Sequence, residues 1–159
     1  MSYIFNEVAP RMIARAQSVN GDWADNHIIA FGCSLGATHA VNCYLRRPDL
    51  FSGLLALSGI YTGTFGWGSY SDEVVYANSA VDYMANLPRD HHYVDIYNRQ
   101  RAVICVGQGA WEGPLVESGE LTTLLLVLAE ALGERAVVIE DGVAEVAAEE
   151  QPLCEDVLK

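Results

Sequence analysis

Ser34 lies in Gly32-Cys33-Ser34-Leu35-Gly36, a G-x-S-x-G pattern. A serine in this frame can be a nucleophile for acyl transfer if the backbone bends sharply from a strand into a helix. The hydroxyl then projects above the sheet where a base can reach it, and the free amides of the helix N-terminus point at the same place. The pattern alone is weak, because small residues recur by chance; its flanks carry the weight. His27-Ile28-Ile29-Ala30-Phe31 precedes it as a short apolar strand, and Leu35 to Arg46 follows as a helix with Ala37, Ala40, Val41 and Tyr44 on one face. Gly32, Gly36 and Ala37 are small enough for strand and helix to approach closely. In this arrangement the backbone N–H of Leu35 is one oxyanion-hole donor, stabilising the charge of a tetrahedral intermediate. The competing reading is a serine in a glycine-rich turn with no catalytic duty, which these flanks fit less well.

The elements that must hold this turn are legible on both sides. Ile4, Val8, Met12, Ile13 and Ala16 recur at helical spacing, which predicts an amphipathic helix over residues 3–18 with Pro10 as its weak point. Asn20-Gly21-Asp22 marks a turn. Pro48-Asp49 ends the helix after Ser34, and Phe51 to Ser58 reads as a second buried parallel strand. Tyr61 to Gln100 is a long excursion, rich in glycine and aromatics, with no sustained period except a helix near Ser79–Asn86. Ala102–Val106 is a third strand, Glu120–Leu132 a helix stopped by Gly133, and Ala136–Ile139 a fourth strand. Beyond Asp141 only weak helical character remains. The alternation predicts an α/β fold: a parallel sheet of about four strands with helices on both faces. It spans residues 1–140 and is followed by a divergent acidic tail over 141–159.

Composition narrows the partners. The 159 residues are 51% hydrophobic and 19% charged, which suits a folded domain. The net charge is -12, with one lysine, Lys159, and eight scattered arginines. That sign disfavours nucleic acid and anionic membranes, whose binding rests on basic side chains. Cys33, Cys43, Cys105 and Cys154 are widely separated, with no ligand spacing for zinc. No segment near the start has the basic-then-apolar order of a leader, and no apolar run approaches the roughly 18 residues of a membrane span. A reduced, cytoplasmic setting is the expectation.

The run Phe31-Gly32-Cys33-Ser34-Leu35-Gly36-Ala37-Thr38-His39-Ala40-Val41-Asn42 resembles the putative esterase family of the α/β-hydrolase fold, which is related to the esterase D and S-formylglutathione hydrolase group. So do Arg47-Pro48-Asp49-Leu50-Phe51, Leu55-Ala56-Leu57-Ser58-Gly59-Ile60-Tyr61, Val75-Tyr76-Ala77-Asn78-Ser79 and Val106-Gly107-Gln108-Gly109-Ala110-Trp111-Glu112. The resemblance implies a three-layer sheet of which this chain holds the C-terminal half. It also implies an acyl-serine mechanism on a small carboxylic or thiol ester, with no metal or cofactor. Members use a serine, then an acid, then a histidine in chain order. Glu112 lies where the acid belongs; a solvated loop carboxylate is the equal alternative. The histidine should follow Ala136–Ile139, yet none occurs after His92. His39 lies on the helix that starts beside Ser34, five residues on, and faces away. His27 precedes the first strand, and His91 or His92 could fold over the site from the excursion.

Two functional readings follow. One is a serine esterase with Ser34 and Glu112 as catalytic residues and Leu35 in the oxyanion hole. The other is a catalytically inactive relative that lacks the base, for which ester turnover by the chain alone is negligible. Tyr61, Phe65, Trp67, Tyr70, Tyr76 and Tyr83 either line a pocket for a moderately apolar group or close the core. An unprotected sheet edge predicts self-association.

Overall fold

The computed structural model describes residues 1–21, 27–106, 136–140 and 143–146. The chain opens with a π-helical stretch, Ile4–Val8, that passes directly into α1, Ala9–Asn20. The weak point read at Pro10 is where the helix changes type: proline lacks an N–H and is tolerated only in the first turn, and it sits there in α1. Gly21 closes α1 at φ 77°, its amide donating to the Gln17 carbonyl at 2.9 Å.

Five strands form one sheet in the order β1 (Ile28–Cys33), β2 (Phe51–Leu57), β3 (Arg101–Val106), β4 (Ala136–Glu140) and β5 (Val143–Val146). The first four are parallel, in the register Ala30↔Leu54↔Ala102 and Gly32↔Ala56↔Ile104. The expected α/β class and the four parallel strands hold. β5 differs from the reading: it runs antiparallel to β4, with Glu140 opposite Val143, where weak helix was expected. Asp141-Gly142, a strong hairpin dipeptide, joins the two strands in sequence. The helix expected over Glu120–Leu132 lies outside the described residues.

α2, Leu35–Arg46, covers β1 and β2 with Ala37, Ala40, Val41, Tyr44 and Leu45, all buried, at positions that recur every three or four residues. They meet Ala30, Leu54, Ala56, Ala102 and Ile104 from the sheet. Full burial of Val41, Tyr44 or Leu45 contributes about 1.5–3 kcal/mol per side chain. The other side of β1 carries Ile29 and Phe31, which are 67% and 64% exposed.

The excursion contains more structure than its sequence showed: α3 (Thr64–Trp67), α4 (Glu73–Asn78), α5 (Ala80–Ala85) and α6 (His92–Tyr97). Each has at most six residues, too short for a periodic stripe to be read. α4 begins where Asp72 accepts hydrogen bonds from the amides of Val74 and Val75. The Val75 amide is the main cause of an Asp72 carboxyl held below its ordinary range, with the Tyr70 hydroxyl adding to it. Among the described residues, no helix is long and apolar enough to cross a membrane.

Candidate active site

β1 ends at Cys33, and Ser34 turns the chain into α2 with φ 53° and ψ -126°. A non-glycine residue at positive φ is strained by roughly 1–3 kcal/mol, so surrounding contacts must hold it there. The Ser34 amide donates to the Leu57 carbonyl at 2.8 Å, continuing the ladder one step past the strand. Its carbonyl accepts from Ala37 and Thr38 at 2.9 and 3.2 Å, closing the first turn of α2. With both backbone groups engaged, the exposed side chain projects at the carboxyl edge of the sheet.

The glycines around Ser34 differ in what they require. A β-carbon on Gly32 would stand 2.1 Å from the Gly36 carbonyl oxygen and 2.6 Å from the Ala37 nitrogen. Gly32 is therefore fixed by close approach of helix to strand. A β-carbon on Gly36 would meet nothing within 4 Å, so the demand for a small residue there, read from the sequence, is not made by packing. Leu35 is 67% exposed, and its amide and that of Gly36 are the first two of α2, which have no acceptor inside the helix.

The next strand repeats the device. Ser58 follows β2 with φ 49°, and its amide donates to the Cys105 carbonyl of β3 at 2.8 Å. Thr38, on the first turn of α2, donates its hydroxyl to the Ile60 carbonyl at 2.7 Å and accepts from the Ile60 amide at 3.2 Å. The segment after β2 is thereby clamped to the helix that begins at Ser34. One turn on, Asn42 is 1% exposed; its amide donates to the Thr38 and Asn78 carbonyls, and its oxygen accepts from the Tyr83 hydroxyl at 2.9 Å. Burial pushes the Tyr83 hydroxyl far above its ordinary pKa, so it stays a donor. Neither Ser58 nor Asn42 was singled out from sequence. A polar residue between Val41 and Tyr44, on a face otherwise apolar, was the available signal for Asn42.

The histidines stand elsewhere. All four are among the described residues. His27 is exposed before β1, at the opposite end of that strand from Ser34. His39 is exposed, about one and a half turns along α2. The possibility that His91 or His92 folds over Ser34 is not met. Their rings stack at 4.5 Å, Tyr93 packs against both and against Tyr97, and the Tyr97 hydroxyl bonds the Leu45 carbonyl. Leu45 lies at the far end of α2, about 16 Å of helix rise from Ser34. Glu112 lies outside the described residues.

The aromatics of the excursion divide. Tyr61 is buried and Tyr83 is held by Asn42, so both close the core. Phe65, Trp67 and Tyr70 are each about 60% exposed and Tyr76 is 39% exposed. A recess lined by Val8, Met12, Ala16 and Val19 lies along α1, away from the serine.

The arrangement can present a hydroxyl next to the first amides of a helix at the end of a parallel sheet, the chemistry of acyl transfer, and among the described residues no histidine stands at its side. No curated protein matches the chain. Residues 2–136 match the family described as Putative esterase. That match spans most of the 159 residues and includes the strained turn at Ser34, and the chain belongs to the Putative esterase family.

Proposed function

We propose that the chain is a serine esterase-type hydrolase in which Ser34, in a nucleophile elbow, attacks a small carboxylic or thiol ester and forms an acyl-serine intermediate. The positive-φ backbone of Ser34 between β1 and α2 carries the reading, because strain of this kind persists where a side chain must be presented. The Leu35 amide donates to the oxyanion, and Glu112 is the acid of the triad. The reaction needs no metal or cofactor from this chain, and a cytoplasmic setting belongs to the same reading.

A second reading is favoured by one observation: none of the four histidines stands beside Ser34. A triad serine without its base loses several orders of magnitude in rate, and the remainder rests on the oxyanion donors and binding. The chain would then be a non-catalytic member of its family. Turnover of an activated acetyl ester by the purified chain, compared with Ser34→Ala, separates the two. Slow turnover that disappears in the variant carries the esterase reading. Equal rates for both proteins, together with no covalent adduct at Ser34 from a fluorophosphonate, sink it in favour of the second.

A further inference from the structure

Ser34 and Ser58 are the non-glycine residues with positive φ among the described residues, and they are register neighbours. Cys33 pairs with Leu57, so the two serines leave adjacent strands at the same level, with Cα atoms about 5 Å apart by the spacing of a ladder. Each gives its amide to a carbonyl near the end of the next strand, Ser34 to Leu57, the last of β2, and Ser58 to Cys105, the last but one of β3. Among the described residues no side-chain hydrogen bond holds either hydroxyl.

Turn geometry alone does not call for a side chain at position 58. Glycine adopts positive φ without strain. Gly59 follows immediately, and a β-carbon there would lie 2.6 Å from the Tyr61 hydroxyl. The positive-φ position nevertheless carries a hydroxyl, half-buried, beside the strained serine of the neighbouring strand. The clamp between Thr38 and Ile60 holds this segment against the first turn of α2.

We propose that Ser58 is a positioning residue for Ser34: its hydroxyl, held by no other side chain among the described residues, turns to donate a hydrogen bond to the Ser34 Oγ as that oxygen loses its proton. This rests on the reading of Ser34 as the nucleophile. A donor to an oxygen gaining negative charge stabilises the charged form more than the neutral one, so it raises reactivity and lowers the pH at which the hydroxyl reacts.

Labelling by a fluorophosphonate tests this without a resident base. The Ser34 Oγ bonds to phosphorus, fluoride leaves with the bonding pair, and the hydroxyl proton passes to solvent. Rates are measured by intact mass for the wild type, Ser34→Ala, Ser58→Ala, Ser58→Gly and Ser58→Asn, from neutral to alkaline pH. Loss of the donor is expected to slow labelling about tenfold in Ser58→Ala and Ser58→Gly and to move the pH profile upward. Ser58→Gly should also melt higher than the wild type, because glycine relieves the positive φ. Ser58→Asn, which tolerates this backbone and keeps a donor, should retain most of the rate.

A merely structural role for Ser58 predicts the opposite for Ser58→Gly: labelling at or above the wild-type rate. That result overturns the inference while the nucleophile reading stands. Wild-type labelling no faster than in Ser34→Ala overturns both.

Discussion

Gly32 and Gly36 face each other across the turn at Ser34, and only one of them is required by the contact. The space a β-carbon on Gly32 needs is filled by the Gly36 carbonyl oxygen at 2.1 Å, whereas the corresponding space on Gly36 is open. Gly32→Ala must push α2 off β1, and a loss of about 3 kcal/mol of stability is expected, at the upper end for an overpacked site. Gly36→Ala should be neutral or stabilising by up to about 1 kcal/mol, since alanine is the better helix former and Gly36 is not at positive φ. Denaturant titration of the two variants gives the comparison. Equal effects would remove the close-approach explanation for Gly32.

Asn42 joins α2 to α4 and α5 through two part-buried hydrogen bonds, one to the Asn78 carbonyl and one from the Tyr83 hydroxyl, and bonds the Thr38 carbonyl within α2. Asn42→Ala leaves the Tyr83 hydroxyl and the Asn78 carbonyl without this partner, and a loss of about 2–3 kcal/mol is expected. A double-mutant cycle with Tyr83→Phe isolates the pair. Coupling near zero would show that the Tyr83 hydroxyl gains nothing from Asn42.

Arg47 holds Asp49 through two hydrogen bonds of 2.7 and 2.6 Å, and these depress the Asp49 carboxyl below its ordinary pKa. A carboxylate whose folded pKa is lowered stabilises the fold above the unfolded value. That contribution disappears as pH falls through the folded value. The pair is one-third to nearly one-half exposed, so screening keeps its worth at or below about 1 kcal/mol. Asp49→Asn should therefore be slightly less stable than the wild type at neutral pH, with the difference closing in acid below the usual carboxylate range. Thermal melts across that range provide the check, and a gap that widens in acid would contradict the sign.

β1 is the first strand in the sheet order, with Ile29 and Phe31 exposed on one side and no lysine or proline to block pairing. The purified chain is expected to elute with a mass above the monomer by light scattering. Phe31→Lys, which places a charge on this strand, should shift it toward the monomer. A monodisperse wild-type monomer would end this expectation.

The sequence determined the turn at Ser34, because its signal is local. An apolar run, small residues around a serine, and a helix with Ala37, Ala40, Val41 and Tyr44 in phase are all contained within twenty residues. It determined the parallel strands for the same reason, since a buried parallel strand is a continuous apolar stretch. Only the tertiary structure decided what lies beside that serine. The pairing of Cys33 with Leu57 sets Ser58 next to it, and the bond from Tyr97 to Leu45 sets His91 and His92 at the far end of α2. The antiparallel β5 and the split of the excursion aromatics into core and surface were decided at that level too. Neighbours across strands are fixed by register, and register depends on partners dozens of residues away in the chain, which no local pattern encodes.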